Sequence, residues 1–322
     1  WKTFTISLVI ALATFFWGCG SSEEKKANHL ENAKKYVENQ EYKKAVIEYK
    51  NVIQIDPKDA SAHYELGDVY LKLKRGQEAF RSFYRAAELN PDNLDAQLRL
   101  GNIYLLSKKT EEARKKADLV LAKDQENLDG LMLLSGVQVQ EKKNDEAIQT
   151  LEKTMSLYPK QVKVQLALAR LYSMEGKDKK AEAEYKKALA QELTLPIARV
   201  ELSRLYIRMG RPNDAENELR KLVEESPSKH DSLIILGRFY ESRENWKQAE
   251  ETYKEAVRVA PEDNVGPLMV LSLYYARRNS YDPALKTMEM AAERKPEDMN
   301  IQADIARLHF TLSASCCFFN NR

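Results

Sequence analysis

From about residue 26 to residue 298 the chain alternates short segments whose apolar positions recur at helical spacing. Leu66, Gly67 and Tyr70 fall on one face of a first predicted helix, and Ala79, Phe83 and Ala86 stand at i, i+4 and i+7 on a second. Pro91 closes the pair, because proline lacks an amide hydrogen and restricts the residue before it. Asp56-Pro57-Lys58 and Asn90-Pro91-Asp92 then read as turns. The hairpin recurs: Ala45, Ala79, Ala113, Ala147, Ala181, Ala215 and Ala249 are each 34 apart, and Ala284 follows at 35. Nine positions before these alanines stand Tyr36, Tyr70, Tyr104, Gln138, Tyr172, Tyr206, Tyr240 and Tyr275. Twelve positions after them come Pro57, Pro91, Gln125, Pro159, Leu193, Pro227, Pro261 and Pro296. Three registers with one period across eight copies predict an all-α fold of helix-turn-helix units. Gly67, Gly101, Ala169, Ser203 and Gly237 mark where each first helix presses on its second.

The order small residue, Tyr, Ala, aromatic, Ala, Pro within 34 residues resembles the tetratricopeptide repeat (TPR) family. Eight copies begin near Lys26, Ala60, Leu94, Leu128, Val162, Pro196, His230 and Val265, and a ninth first helix starts near Met299 and occupies 299–312. The resemblance covers residues 26–298 and implies a right-handed superhelical solenoid of about eight repeats, its first helices lining the inside. One copy cannot bury its apolar face alone, and stacked neighbours do so. The fourth and fifth copies depart from the pattern: Gln138 replaces the Tyr, Thr154 the later Ala, and Gln125 and Leu193 the Pro. Their interfaces are expected to pack less tightly.

The ends differ from the array. After Lys2 the chain is uncharged from Thr3 to Cys19. An apolar stretch of roughly 15 residues suits a secretory signal peptide over 1–18 better than a spanning helix, which needs about 20. The chain opens without Met, so its start is read as incomplete. Phe16-Trp17-Gly18-Cys19-Gly20-Ser21-Ser22 resembles the bacterial lipobox, which implies acylation of Cys19 and a lipid-anchored tether over 19–25. Phe16 and Trp17 depart from the Leu and small residue usual in that motif. An uncleaved anchor and a buried core segment are the alternatives. With 3 Cys in all, no disulfide framework is expected. Cys316 and Cys317 lie in an atypical tail, 313–322, read as a fragment end, with a vicinal thiol site as the alternative.

The charge balance, 51 Lys and Arg against 49 Asp and Glu, gives no bulk drive towards nucleic acid, so an electrostatic partner must meet a local patch. In the family the inner surface comes from the second, fifth, ninth, twelfth and thirteenth positions of each copy. The fifth position here reads Tyr64, Leu98, Met132, Leu166, Val200 and Ile234, an apolar groove lining. The ninth reads Asp68, Asn102, Gly136, Arg170, Arg204 and Arg238. With repeats about 10 Å apart, the three arginines form a ladder roughly 20 Å long. Guanidinium forks suit carboxylates and other oxyanions, so an acidic peptide or an anionic polysaccharide fits there. Two plainer readings stay open: the fifth-position residues pack on the next helix, and each Arg pairs with a nearby carboxylate such as Glu201 or Glu241. The TPR carboxylate clamp needs Lys at the fifth position of its first copy, and none of these positions holds one.

The sequence has no glycine-rich phosphate loop, no His-Glu-x-x-His and no Cys-x-x-Cys. His29 and His63 share the fourth position of neighbouring copies, too far apart for one metal ion. No cofactor, metal or enzymatic activity is therefore expected. The reading that follows is a non-enzymatic protein-protein interaction scaffold. It is lipid-anchored in a bacterial envelope, on the periplasmic face of the outer membrane, and organises an assembly or export complex for polysaccharide, pilus or outer-membrane protein. In texture the chain is similar to the TPR lipoprotein of the exosortase-linked (PEP-CTERM) exopolysaccharide system. Expected partners are proteins or peptides, acidic segments among them, and the membrane through the lipid, with no nucleic acid. Two alternatives stand beside it: an anchored regulator facing the cytoplasm, and the repeat portion of a longer enzyme.

Overall fold

The computed structural model describes residues 22–191 and 196–319, with side chains described as far as residue 312. The signal segment, Cys19, Leu193 and residues 320–322 lie outside the described residues. Seventeen helices and no strand are present among the described residues. The first helices of the copies are α1 (Ser22–Glu38), α3 (Ala60–Lys72), α5 (Leu94–Leu106), α7 (Leu128–Gln140), α9 (Val162–Met174), α11 (Pro196–Arg208), α13 (Lys229–Ser242) and α15 (Gly266–Arg277). Their second helices are α2 (Tyr42–Ile55), α4 (Gly76–Leu89), α6 (Thr110–Lys123), α8 (Asn144–Leu157), α10 (Asp178–Gln191), α12 (Pro212–Glu225), α14 (Trp246–Val259) and α16 (Tyr281–Arg294), and α17 (Met299–Phe319) follows. The period places the copies within a residue or so except at the ends. Residues 22–25, expected in a tether, form the first turn of α1, and α17 runs on through residue 313 into the tail.

The described residues divide into two compact units, the first ending at Pro159 and the second beginning at Lys160. In each, the two helices of a hairpin pack together and successive hairpins stack, as in a helical solenoid. The repeated alanines are the reason they approach closely: Ala45, Ala79, Ala113, Ala147, Ala181, Ala215, Ala249 and Ala284 are all fully buried. The glycines act likewise. A β-carbon on Gly67 would lie 2.7 Å from the Phe83 ring, and one on Gly237 would lie 2.5 Å from Tyr253, both on the second helix of the hairpin. Gly101 instead makes room for Leu133 of the next copy, at 2.3 Å.

Turn chemistry sets the helix ends. Asp59, Asn93 and Asn127 accept the amides of Ala62, Ala96 and Gly130 at 2.8, 3.0 and 2.9 Å, capping α3, α5 and α7. Before each cap, Asp56, Asn90 and Asp124 accept the amides of Lys58, Asp92 and Glu126 at 3.1, 3.2 and 3.2 Å. The third of these turns holds Gln125 in place of Pro and keeps both side-chain bonds. First helices end in Schellman motifs: the Arg75 amide donates to the Tyr70 carbonyl at 2.8 Å and the Lys74 amide to Leu71 at 3.0 Å. Lys109 to Tyr104, Lys143 to Gln138 and Arg211 to Tyr206 repeat the longer bond, each at 2.8 Å. The motif demands one left-handed residue, supplied by Gln40 (φ 58°), Lys74 (58°), Lys108 (58°) and Lys142 (62°) in the first unit and by Gly176 (68°), Gly210 (72°), Glu244 (57°) and Asn279 (56°) in the second. The recurring tyrosine also lends its ring to the turn. The Arg75 guanidinium lies 5.1 Å from the Tyr70 ring, Lys109 5.9 Å from Tyr104, and Arg211 4.4 Å from Tyr206.

In the fourth copy the residues that depart from the pattern find hydrogen-bond partners inside the hairpin. Gln138 is buried and accepts the Thr150 hydroxyl at 2.9 Å, while Thr154 is fully buried and donates to the Thr150 carbonyl at 2.6 Å. Hydrogen bonds replace the lost apolar contact, so the polar atoms are satisfied.

Candidate functional site

In the second unit Arg170, Arg204 and Arg238 occupy one register of α9, α11 and α13, and all three are exposed. Arg170 is spent: its Nε donates to both carboxylate oxygens of Glu201, at 2.8 and 2.7 Å. Glu201 also accepts the Tyr185 hydroxyl at 2.8 Å. Burial, and then this carboxylate, push the Tyr185 phenol up, while the Glu201 hydrogen bond raises Arg170. Arg204 and Arg238 have no hydrogen-bond or ion-pair partner among the described residues. The reason lies in the sequence: Glu201 follows Arg170 by 31 positions, and the same offset from Arg204 and Arg238 reaches Ile235 and Met269. Glu241 serves other groups, accepting the Tyr253 hydroxyl at 2.8 Å and the Arg277 guanidinium at 3.2 Å. Pairing thus consumes one arginine of the three.

The apolar lining is smaller than expected. Leu98 and Leu166, placed on the groove by their register, are buried, 6% and 8% exposed, because the fifth position falls against neighbouring helices. Leu98 belongs to the core that contains Ala113, Val120 and Leu133. Tyr64 and Met132 are half-buried, and the Tyr64 ring lies 5.6 Å from Phe83. Asn102 is exposed but turns one amide hydrogen onto its own helix, at the Leu98 carbonyl, 3.0 Å away. Asp68 meets Arg99 at 3.0 Å, and burial raises its carboxyl despite that partner.

The hairpins also carry a polar register that is legible in the sequence. Residues 19 apart join the two helices of a copy: His29 to Glu48 at 2.5 Å, Gln97 to Lys116 at 2.7 Å, Gln165 to Glu184 at 3.2 Å, and Arg199 to Glu218 at 2.6 Å. Both partners are polar in the same copies, which is the signal. Arg199 is 5% exposed and also binds Glu225 through Nε and Nη2, each at 2.7 Å. This network is enclosed and structural. His63 contacts the Pro57 carbonyl at 3.2 Å, so the two histidines serve local bonds. Among the described residues no three His, Cys, Asp or Glu side chains converge as metal ligands, and no helix is long and apolar enough to cross a membrane.

The model of the cytochrome c-type biogenesis protein H TPR domain matches residues 23–161, and two tetratricopeptide repeat models match 138–194 and 200–264. No curated protein matches the sequence. Among solved structures, a tetratricopeptide repeat protein from Parabacteroides merdae is similar in fold, with a TM-score of 0.61 at 18% identity, covering 78% of this chain and 99% of that one. A thermophilic TPR protein of Thermus thermophilus, 26% identical, gives 0.51 over 56% of this chain and 98% of its own. The Pseudomonas aeruginosa protein pilF, 21% identical, gives 0.50 over 70% and 99%. Register, hairpin fold and family models agree over residues 23–194 and 200–264: this chain carries tetratricopeptide repeats.

Proposed function

We propose that this chain is a non-enzymatic scaffold of a bacterial envelope, acylated at Cys19, that holds protein segments for an assembly or export machine. The observation that carries the binding part is the pair of unspent guanidinium groups, Arg204 and Arg238, at one exposed register of the second unit. Each can take a carboxylate in a bidentate fork, which favours acidic segments of a partner protein. Anionic polysaccharide offers the same carboxylates and is the second ligand of this reading. The biogenesis-protein model over residues 23–161 supports an assembly role over a regulatory one. The exosortase-linked exopolysaccharide system is one candidate machine.

The test is capture of partners by the intact chain, crosslinked in its membrane. Charge reversal at Arg204 and Arg238 is expected to abolish capture and its salt dependence, while reversal at Arg170, already paired, has a smaller effect. Equal capture by all variants would remove the arginines from the site. Mass spectrometry of the mature protein is expected to show acylated Cys19, and an unmodified thiol would exclude the anchor. Protease treatment of spheroplasts is expected to digest the array, whereas protection would place it in the cytoplasm.

A further inference from the structure

The two edges of the first unit carry opposite charge. The turns that lead from second to first helices hold Asp56, Asp59, Asp92, Asp124 and Glu126 against Lys58. The turns inside the hairpins hold Lys74-Arg75, Lys108-Lys109 and Lys142-Lys143, a dibasic pair in three consecutive copies at the same register, against Glu41 and Glu141. The second member of each pair is engaged: Arg75 bonds Glu78, Lys109 lies over Tyr104, and Lys143 meets Glu141 at 3.1 Å. The first member is not. Lys74, Lys108 and Lys142 are exposed, have no ion pair among the described residues, and sit at positive φ. The same register is left-handed in every copy, with Gln40, Glu244 and Asn279 as well as Gly176 and Gly210, so the turn sets this backbone whatever residue it holds. What sets these three copies apart is the open ammonium group that each holds at this position.

Between the second and third copies a cleft of about 520 Å³ opens on the same edge, with Ser107 and Lys109, the chain neighbours of Lys108, in its wall. Leu71, Phe80, Ile103 and Tyr104 line it, with Leu106 at the rim, 84% exposed. The Phe80 and Tyr104 rings meet edge to face at 5.6 Å, which gives the cleft a firm aromatic wall.

We propose that this edge is a second docking site, in which an acidic segment of a partner protein lays its carboxylates along Lys74, Lys108 and Lys142 and inserts one bulky apolar side chain into the cleft. It is separate from the arginine register and does not depend on it. Charge selects the partner's sign, and the concave apolar wall selects a peptide side chain over a flat lipid surface. A second copy of this chain is a poorer occupant, because its acidic edge is partly neutralised: Lys26 lies 2.7 and 2.8 Å from Asp56 and Asp59, and Lys123 bonds Asp92.

The experiment uses the full chain and a short synthetic peptide of Asp and Glu with one central Trp, followed by fluorescence anisotropy. The triple variant Lys74→Gly, Lys108→Gly, Lys142→Gly is expected to bind roughly tenfold more weakly and with a flatter salt dependence. Glycine suits the left-handed backbone at all three sites, so loss of binding cannot be laid to unfolding. A β-carbon on Gly76, beside the cleft, meets nothing within 4 Å, so Gly76→Leu fills the mouth without disturbing the hairpin and is expected to weaken the Trp peptide but not its Ser counterpart. Unchanged affinity in either variant overturns the proposal. So does capture by phosphatidylglycerol vesicles over phosphatidylcholine ones without peptide binding, which assigns the edge to a membrane. A rise in mass by light scattering that the triple variant abolishes assigns it to self-association and overturns the proposal equally.

Discussion

Replacing Lys74, Lys108 and Lys142 by glycine should make the protein more stable, although three helix-flanking side chains are lost. Each residue closes a Schellman motif at φ near 60°. There the β-carbon crowds the following carbonyl oxygen, at about 1–2 kcal/mol per residue. Glycine removes that cost and returns about 0.5–1 kcal/mol through its greater freedom in the unfolded chain. The net gain is therefore about 0.5–1 kcal/mol per site. The sites lie in consecutive copies, 34 residues apart, with no partner in common, so their effects should add to about 1.5–3 kcal/mol. Urea unfolding followed by circular dichroism should show a higher midpoint with an unchanged m value. The mirror experiment is Gly176→Ala and Gly210→Ala. Neither added β-carbon would meet any atom within 4 Å, so only the backbone term acts, and each should cost about 1 kcal/mol. A lower midpoint for the glycine variants, or no effect of the alanine ones, would refute the reasoning, since strain at the turn is its sole basis.

Three further outcomes follow from the packing. Gly237→Ala drives a β-carbon to 2.5 Å from the Tyr253 ring, and should cost about 1–3 kcal/mol by overpacking, read as a lower urea midpoint. Arg199→Met leaves Glu218 and Glu225 without their buried partner and should cost about 3–5 kcal/mol; adding Glu218→Leu should recover much of it, and a double variant no better than the single would disprove the ion-pair account. The hydrogen bond from Arg114, with Nε at 2.7 Å, holds the Glu141 carboxyl down at about 2, below an ordinary value of 4.5. A lowered folded pKa adds stability that is complete above 4.5 and disappears as pH falls towards 2, so the urea-midpoint gap between wild type and Glu141→Gln should close over that window.

The repeat itself was legible in the chain because its determinants are local. A tyrosine, an alanine and a turn residue at fixed offsets define a hairpin within 34 positions, and copying the hairpin copies its contacts. The tertiary structure was needed wherever a residue's fate depends on the neighbouring copy. Arg170 and Arg204 share a register, yet one meets Glu201 and the other finds Ile235 at the matching place, so only one is free. Leu98 has the register of a groove residue and is buried, since the next copy covers it. The left-handed lysines give no hydropathy signal; a positive φ becomes visible only when the turn closes, and with it the basic edge and the cleft beside it. By itself the sequence determined the hairpin and its period, which arise from contacts inside one copy; only the stacked structure decided which charges stay open to a partner, because that choice is made between copies.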